Sequence, residues 1–295
     1  MLQFSKGALL FLLTCSFDTI SARTGTDFSE CLGFFYQKSP PQGIQGGEDR
    51  SICQQYKNKY RFATLYSRVF HAPLYSAYKV ILPKDEKIAR PDDEVWMYEP
   101  QLTDEKGEPE MKPIQDDKVD YDFQASLKDY KGSIYTKGHL APSLHQETKE
   151  DKEATFTLTN MVPQRGGSNN GPWVEWEKEI VMIKKDCEGD MFVITGGLPF
   201  KPERKAMNEK VSVPEYMWSA YCCTAFKTDL NGGFPTHAAL GRNDPNSDIN
   251  IVPKDHTKYP DYAVRKLTLK DLEVILKERL NTEQVTLFKE DCKAN

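Results

Sequence analysis

Six cysteines restrict the folds that are open to this chain. They are Cys31, Cys53, Cys187, Cys222, Cys223 and Cys292. Their number is even and their spacing matches no zinc-binding pattern, which indicates disulfide bonds formed in an oxidising compartment. We expect a local Cys31–Cys53 pair, with Cys222 and Cys223 reaching Cys187 and Cys292. The order of those last two pairs stays open, because spacing alone does not select a pairing.

The first 22 residues have the composition of a secretory signal peptide. Lys6 precedes a short apolar run at residues 8–13, and small residues follow as far as Ala22. Cleavage near Ala22 would remove the seventh cysteine, Cys15, and leave residues 23–295 as a single secreted, extracellular domain. The apolar run is too short to cross a bilayer, and no later segment is apolar over the ~18 residues that a spanning helix needs. We therefore predict no membrane span.

Four segments have patterns typical of β-strands, and one of them, residues 211–226, is interpreted as a strand pair or one long strand. Residues 60–66 and 74–82 carry aromatic and β-branched side chains at strand-like spacing. Residues 191–195 form an apolar run that predicts a third strand. We expect Gly196 and Gly197 to end that strand, because paired glycines are typical of turns.

Residues 173–185 have apolar side chains at helical spacing. Pro172 would occupy the first turn of this helix, and Asn169 or Asn170 would cap it. The two tryptophans of the segment share its apolar face. They are therefore expected to anchor the helix in the core, and not to stack on bases.

A second amphipathic segment, residues 269–280, predicts a helix that begins after Thr268. We assign it to a C-terminal helical extension of about residues 262–295. Together the strands and helices predict an α+β fold with its core strands in one domain.

Polar side chains that a core does not need are concentrated in residues 135–142 and 159–177. His139 lies between a glycine and an apolar pair, and a neutral imidazole with a pKa of about 6.5 is a natural general base. Asn169 offers an amide oxygen to a hard cation, and Glu177 follows two helical turns later. A base, a hard-cation ligand and a carboxylate are what phosphodiester hydrolysis requires. Each residue alone is more typical of a helix cap or an ordinary surface side chain.

The overall charge gives no reason to bind polyanions. The chain has 39 Lys and Arg against 44 Asp and Glu, a formal net charge of −5. A nucleic-acid site would therefore have to be a local basic patch, for which Lys137 and Arg165 are candidates.

The order of these motifs resembles the DNA/RNA non-specific endonuclease family. Its hallmark is Asp-Arg-Gly-His, followed by Asn-x-x-Pro-Gln and then Asn-x-x-x-Trp-x-x-x-Glu. Here Gly138-His139 keeps the end of the hallmark, residues 160–164 match the second element, and Asn169, Trp173 and Glu177 match the third. The resemblance covers a family core of about residues 61–226. With the six cysteines it is greatest to the secreted endonuclease domain-containing 1-like subgroup of vertebrates.

The resemblance implies a ββα-metal (His-Me finger) nuclease fold, with a central antiparallel sheet flanked by helices and held by disulfides. It also implies a Mg²⁺-dependent endonuclease that hydrolyses phosphodiester bonds of both DNA and RNA. Low sequence preference is expected, since phosphate and cation contacts carry no base information.

The resemblance assigns a role to each matching residue. His139 would be the general base that activates water, and Asn169 the only direct protein ligand of Mg²⁺. Glu177 would hold cation-bound waters, and Asn160 would position the histidine or phosphate region. Arg90 is the candidate for an upstream arginine that stabilises the transition state.

The chain departs from the hallmark at two positions. Thr136 replaces the aspartate and so lacks a carboxylate, while Lys137 replaces the arginine and keeps its charge without the two-pronged phosphate contact. We interpret the chain as an altered, slower enzyme. The alternative is a secreted binding protein on a weakened or inactive nuclease scaffold. The other histidines, His71, His145, His237 and His256, are expected to be ordinary core or surface residues.

Overall fold

A computed structural model describes residues 24–25, 27–83, 89–116, 121–226, 237–254 and 258–292. The predicted signal peptide and His256 lie outside these residues, and only the backbone of His237 is described.

Fourteen strands and six α-helices are found in the described residues. The strands are β1 (Thr24–Gly25), β2 (Asp49–Tyr56), β3 (Lys59–Ser67), β4 (Ala72–Lys79), β5 (Met97–Tyr98), β6 (Lys112–Pro113), β7 (Tyr135–His139), β8 (Met161–Arg165), β9 (Met191–Pro199), β10 (Ala206–Met207), β11 (Val211–Ser212), β12 (Pro214–Cys223), β13 (His237–Arg242) and β14 (Val264–Thr268). The helices are α1 (Pro100–Thr103), α2 (Leu127–Tyr130), α3 (Lys149–Ala154), α4 (Gly166–Asn169), α5 (Pro172–Lys184) and α6 (Leu269–Leu280).

Eight strands form one antiparallel sheet, in the order β1-β2-β3-β4-β9-β12-β13-β14. Strand β12 lies inside the sheet and all ten of its residues are buried. Because side chains alternate along a strand, Trp218 and Ala220 join the core that packs against α6, and Met217 and Tyr221 join the core that packs against α5. The sheet therefore separates two hydrophobic cores, and the predicted α+β fold with a central antiparallel sheet is confirmed.

Strands β7 and β8 form a separate antiparallel pair on the α5 side of the sheet. Helix α5 follows β8 after a short intervening helix, α4, so the chain makes a ββα unit there. The strands predicted at 60–66 and 74–82 correspond to β3 and β4, and the predicted helix at 173–185 corresponds to α5. Trp173 and Trp176 are buried, which confirms them as core anchors.

Two local predictions were wrong. Neither Asn169 nor Asn170 caps α5: Gly171 precedes the helix without a side-chain cap, and the Asn169 amide bonds elsewhere. The glycine pair at 196–197 does not end β9, which continues to Pro199. A Cβ on Gly196 would lie 2.4 Å from the Trp218 ring, so this glycine permits close packing inside the sheet and not a turn.

Three disulfides join Cys31 to Cys53, Cys187 to Cys223 and Cys222 to Cys292. The predicted local pair is confirmed, and so is the pairing of the two adjacent cysteines with Cys187 and Cys292. Alternation along β12 decides the order left open by the sequence. Cys222 belongs to the core on the α6 side and Cys223 to the core on the α5 side.

The segment predicted as a helical extension starts with a strand. β14 completes the sheet by pairing with β13, and α6 follows it directly. Thr268 caps α6 as predicted, with its hydroxyl accepting from the Asp271 amide. Strand β2 likewise lies before residue 61, so the sheet extends beyond the predicted core at both ends. No helix within the described residues is long and apolar enough to cross a membrane.

Candidate active site

The β7–β8 pair carries most of the predicted site residues. His139 lies opposite Met161 at the end of β7, and Thr136 lies opposite Gln164. Gly138 is required by the closeness of the partner strand, because a Cβ there would lie 2.2 Å from Oε1 of Gln164. The motif glycine thus leaves room for the Gln164 side chain beside the histidine.

Asn160 lies behind this pair and is fully buried. Its Oδ1 accepts from the Ala141 amide and the Ser76 hydroxyl, each at 2.9 Å. Its Nδ2 donates to the carbonyls of Ala141 at 2.9 Å and Thr155 at 3.0 Å. With both amide atoms used inside the protein, Asn160 can hold the backbone that follows His139 but presents no free group to a substrate.

Asn169 is the last residue of α4, and its half-buried side chain reaches back to β7. Its Nδ2 donates to the Thr136 hydroxyl at 3.0 Å, and that hydroxyl donates to the Gln164 carbonyl at 2.9 Å. The Asn169 Oδ1 accepts no hydrogen bond from the described residues. The substituted position of the hallmark, Thr136, is therefore in direct contact with the predicted cation ligand.

His139 is 9% exposed and lies among aromatic rings. Its ring centroid is 5.1 Å from that of Phe156, which it meets edge-on, and 6.2 Å from that of Trp96. Its Nε2 is enclosed and has no hydrogen-bond partner among the described residues. Burial, together with the positive charges of Arg90 and Lys137, lowers the pKa of His139 to about 3.

Two cations face the histidine. The exposed Arg90 guanidinium lies 4.9 Å from the Phe156 ring centroid and forms an ion pair of 2.6 Å with Glu94. The Lys137 ammonium lies 4.5 Å from the ring centroid of Trp96, and burial lowers the pKa of this lysine. Both cations therefore favour the neutral imidazole, while the Glu94 carboxylate offsets part of their positive charge.

Glu177 lies on α5 near the same cations. Burial raises its pKa to about 8, and the Arg90 charge opposes this shift. The Arg90 charge thus shifts the pKa of both His139 on β7 and Glu177 on α5. The two residues therefore lie near the same cation. The carbonyl of Glu177 accepts a hydrogen bond of 2.8 Å from Nε2 of His145, which ties α5 to the turn after β7.

A divalent cation is compatible with this donor set. The free Oδ1 of Asn169 is a hard oxygen ligand, and Mg²⁺ keeps several waters and takes few protein ligands. The described residues contain no group of three or more His, Cys, Asp or Glu side chains that could enclose a metal ion. A site with one amide ligand and water oxygens does not need such a group.

The sequence located the residues on the ββα unit but missed those that enclose them. Trp96 and Phe156 lie in segments without a clear pattern, and Glu94 was not predicted to pair with Arg90. The sequence interpretation of Thr136 noted only the missing carboxylate, whereas its hydroxyl accepts a hydrogen bond from Asn169, the candidate cation ligand. The contact between His145 and α5 had no signal in the sequence, because its partners are a tyrosine on β4 and a backbone carbonyl.

Comparisons with known proteins identify the family and the fold. The family model of the DNA/RNA non-specific endonucleases matches residues 40–277. The endonuclease domain-containing 1 protein of Homo sapiens is 32% identical over 219 residues, which are 71% of this chain and 42% of that protein. Its Mus musculus counterpart is 28% identical over 279 residues, covering 90% of this chain and 48% of that protein. The chain thus spans less than half the length of these two relatives.

More distant proteins share parts of the chain or its fold. A nuclease of Nostoc sp. is 37% identical over 93 residues, which are 30% of this chain and 32% of the nuclease. A chain from the crystal structure of the EndoG/EndoGI complex superposes with a TM-score of 0.54 at 16% identity, over 85% of this chain and 88% of that chain. The extent of the family match and the ββα unit lead to one assignment: the chain belongs to the DNA/RNA non-specific endonuclease family.

Proposed function

We propose that this chain is a secreted, Mg²⁺-dependent endonuclease that hydrolyses phosphodiester bonds in DNA and RNA. The observation that carries the proposal is the ββα unit, in which β7 carries His139, the end of α4 carries Asn169 and α5 carries Glu177. Three disulfides support secretion, because such bonds persist in oxidising compartments.

His139 acts as the general base that takes a proton from the attacking water. Nε2 is enclosed, so Nδ1 is the ring nitrogen that can accept this proton. The imidazolium that forms lies next to Arg90 and Lys137, which disfavour it. A bound phosphodiester brings negative charge to these cations and offsets that cost, so substrate binding makes His139 a stronger base.

The remaining site residues bind the cation and the phosphate and orient the groups around them. Asn169 Oδ1 would hold the cation, and Glu177, once its carboxyl is ionised, would accept hydrogen bonds from waters beside it. Bound Mg²⁺ supplies charge stabilisation for the phosphorane and the leaving oxygen. Arg90 and Lys137 contact the phosphate, and Asn160 holds the backbone beside His139.

The test is cleavage of circular double-stranded DNA and of single-stranded RNA in Mg²⁺, with and without EDTA. His139→Ala is expected to lower the cleavage rate by about 10²–10⁴-fold, the usual contribution of a general base. His71→Asn is the matched control, because it removes a histidine outside the site and asparagine tolerates the positive φ found there. Cleavage that resists EDTA, or that is unchanged in His139→Ala, would contradict the proposal.

A binding function on a weakened scaffold is the second candidate, favoured by the position of Lys137. Its ammonium lies over the rings of Trp96 and Tyr130, 4.5 and 5.8 Å from their centroids, which leaves fewer directions for contact with phosphate. The double variant Thr136→Asp/Lys137→Arg restores the family hallmark. A large gain in cleavage would favour the second candidate, and a similar rate would favour an active natural enzyme.

A further inference from the structure

We propose that Thr136 is a positioning residue that fixes the Asn169 side-chain amide with its oxygen toward the cation. The inference rests on the proposed function, in which Asn169 is the cation ligand. It assigns a task to the residue that stands where the family has an aspartate.

The directions of two hydrogen bonds set the orientation of the amide. The Thr136 hydroxyl carries one hydrogen, and it donates this hydrogen to the Gln164 carbonyl at 2.9 Å. Toward Asn169 the hydroxyl can therefore only accept. The atom that faces it must be the donor Nδ2, found at 3.0 Å, and Oδ1 is turned the other way.

Fixing the orientation of the Asn169 amide matters because its oxygen and its NH₂ group are nearly equal in size and opposite in hydrogen-bonding character. A flipped amide would point an NH₂ group at the cation and withdraw the oxygen that the proposed function assigns to it. The two hydrogen bonds from Asn169 to Thr136 and from Thr136 to Gln164 form a relay that ends at the Gln164 backbone carbonyl. This carbonyl belongs to the β7–β8 pair and cannot change its direction without breaking the strand pairing. The relay is therefore as rigid as the strand pair that holds it.

Threonine also differs from the family's aspartate in charge. An aspartate at this position would accept from Nδ2 but would add a negative charge beside the cation. The hydroxyl supplies the same acceptor in neutral form. The chain thus keeps the orientation of its ligand while giving up one charge that would attract the cation.

The experiment measures binding of Mn²⁺ alone, by electron paramagnetic resonance of the free ion, to purified protein without nucleic acid. Thr136→Val removes the hydroxyl at almost constant volume and is expected to weaken Mn²⁺ binding by about 10–100-fold, as other changes behind a metal ligand do. Thr136→Ser keeps the hydroxyl and is expected to bind Mn²⁺ like the natural protein. Thr136→Ala is measured in parallel, with circular dichroism to confirm folding, in case the valine is not accommodated.

Asn169→Asp provides the matched background. A carboxylate offers oxygen in both orientations, so Thr136→Val in this background is expected to leave Mn²⁺ binding nearly unchanged. Equal losses in the two backgrounds would overturn the proposal, because they would indicate a general structural defect.

Asn169→Ala separates the two hypotheses. If it abolishes Mn²⁺ binding while Thr136→Val and Thr136→Ala bind normally, the positioning role is wrong and the ligand assignment stands. If Asn169→Ala itself binds Mn²⁺ normally, the ligand assignment in the proposed function fails.

Discussion

His139 is enclosed by rings and faced by two cations, so its charge state responds to its neighbours. Burial is the largest cause of its low pKa, and Arg90 and then Lys137 add to it. The imidazole is therefore neutral at physiological pH and ready to accept a proton, but it holds that proton weakly until a negative group approaches. We therefore expect the negative charge of a bound substrate to raise the pKa of His139 and so make it a stronger base.

Removing either cation should raise the pKa of His139, because a nearby positive charge disfavours the imidazolium. We expect Arg90→Met to raise it more than Lys137→Met, each by up to about one unit. Burial remains in both variants, so the pKa should stay below its usual value of about 6.5. The measurement is a nuclear magnetic resonance titration of the histidine ring signals without nucleic acid.

Lys178→Met is the matched control for this titration. Lys178 acts on the pKa of Glu177 but is not among the causes that shift His139. If Lys178→Met changed the His139 pKa as much as Arg90→Met does, the loss of any positive charge would have the same effect. The proximity of Arg90 and Lys137 to His139 would then not explain its low pKa.

At the scale of elements, the turn after β7 is joined to α5 by one buried histidine. The Nε2–H of His145 donates to the Glu177 carbonyl at 2.8 Å, and its Nδ1 accepts from the Tyr78 hydroxyl at 3.1 Å. The neutral ring satisfies both partners, and burial lowers its pKa to about 4. His145 therefore sets the distance between the strand of the base and the helix that carries Glu177.

This low pKa links the stability of the fold to pH. Between about pH 6.5 and 4 the unfolded chain binds a proton at His145 that the folded chain does not bind. Its contribution to stability is therefore present above pH 6.5 and is lost as the pH falls, by about 2 kcal/mol between pH 7 and 5.

His145→Gln should remove this dependence, because glutamine can donate and accept but does not titrate in this range. At pH 7 we expect the variant to be less stable by about 1–3 kcal/mol, owing to weakened hydrogen bonds. At pH 5 the difference from the natural protein should nearly disappear. Urea unfolding at the two pH values provides the comparison, and an equal difference at both would show that His145 is not the linked group.

The elements could be predicted from the sequence where a period or a motif spans one continuous segment. Helix α5, strands β3 and β4 and the order of the site motifs were accessible in this way. The packing role of Gly196 could not be predicted, because it depends on contact with Trp218, which is distant in the sequence. Trp96, Phe156 and Tyr78 escaped prediction for the same reason: each meets the site through tertiary packing that leaves no local period.

The whole molecule is organised about β12, whose two adjacent cysteines point to opposite faces of the sheet. Cys223 joins Cys187, which lies just after α5 on the side of the site. Cys222 joins Cys292 on the other side, where α6 is also held by an ion pair between Arg279 and the buried Glu215. The two disulfides close loops of 36 and 70 residues. Their effects on stability should therefore be similar, while their effects on the site should differ.

We expect Cys187→Ala/Cys223→Ala and Cys222→Ala/Cys292→Ala each to lower the free energy of unfolding by about 2–5 kcal/mol, since cross-links of this length restrict the unfolded chain to comparable extents. The first variant frees the end of α5 and should speed hydrogen exchange of the backbone amides in its last turns. The nuclease rate, measured well below the melting temperature, should fall as a result. The second should leave exchange in α5 and the nuclease rate close to natural, because the sheet lies between that disulfide and the site. Equal exchange in α5 in both variants would mean that the sheet transmits the loss of either bond, and that the two faces do not behave as separate layers.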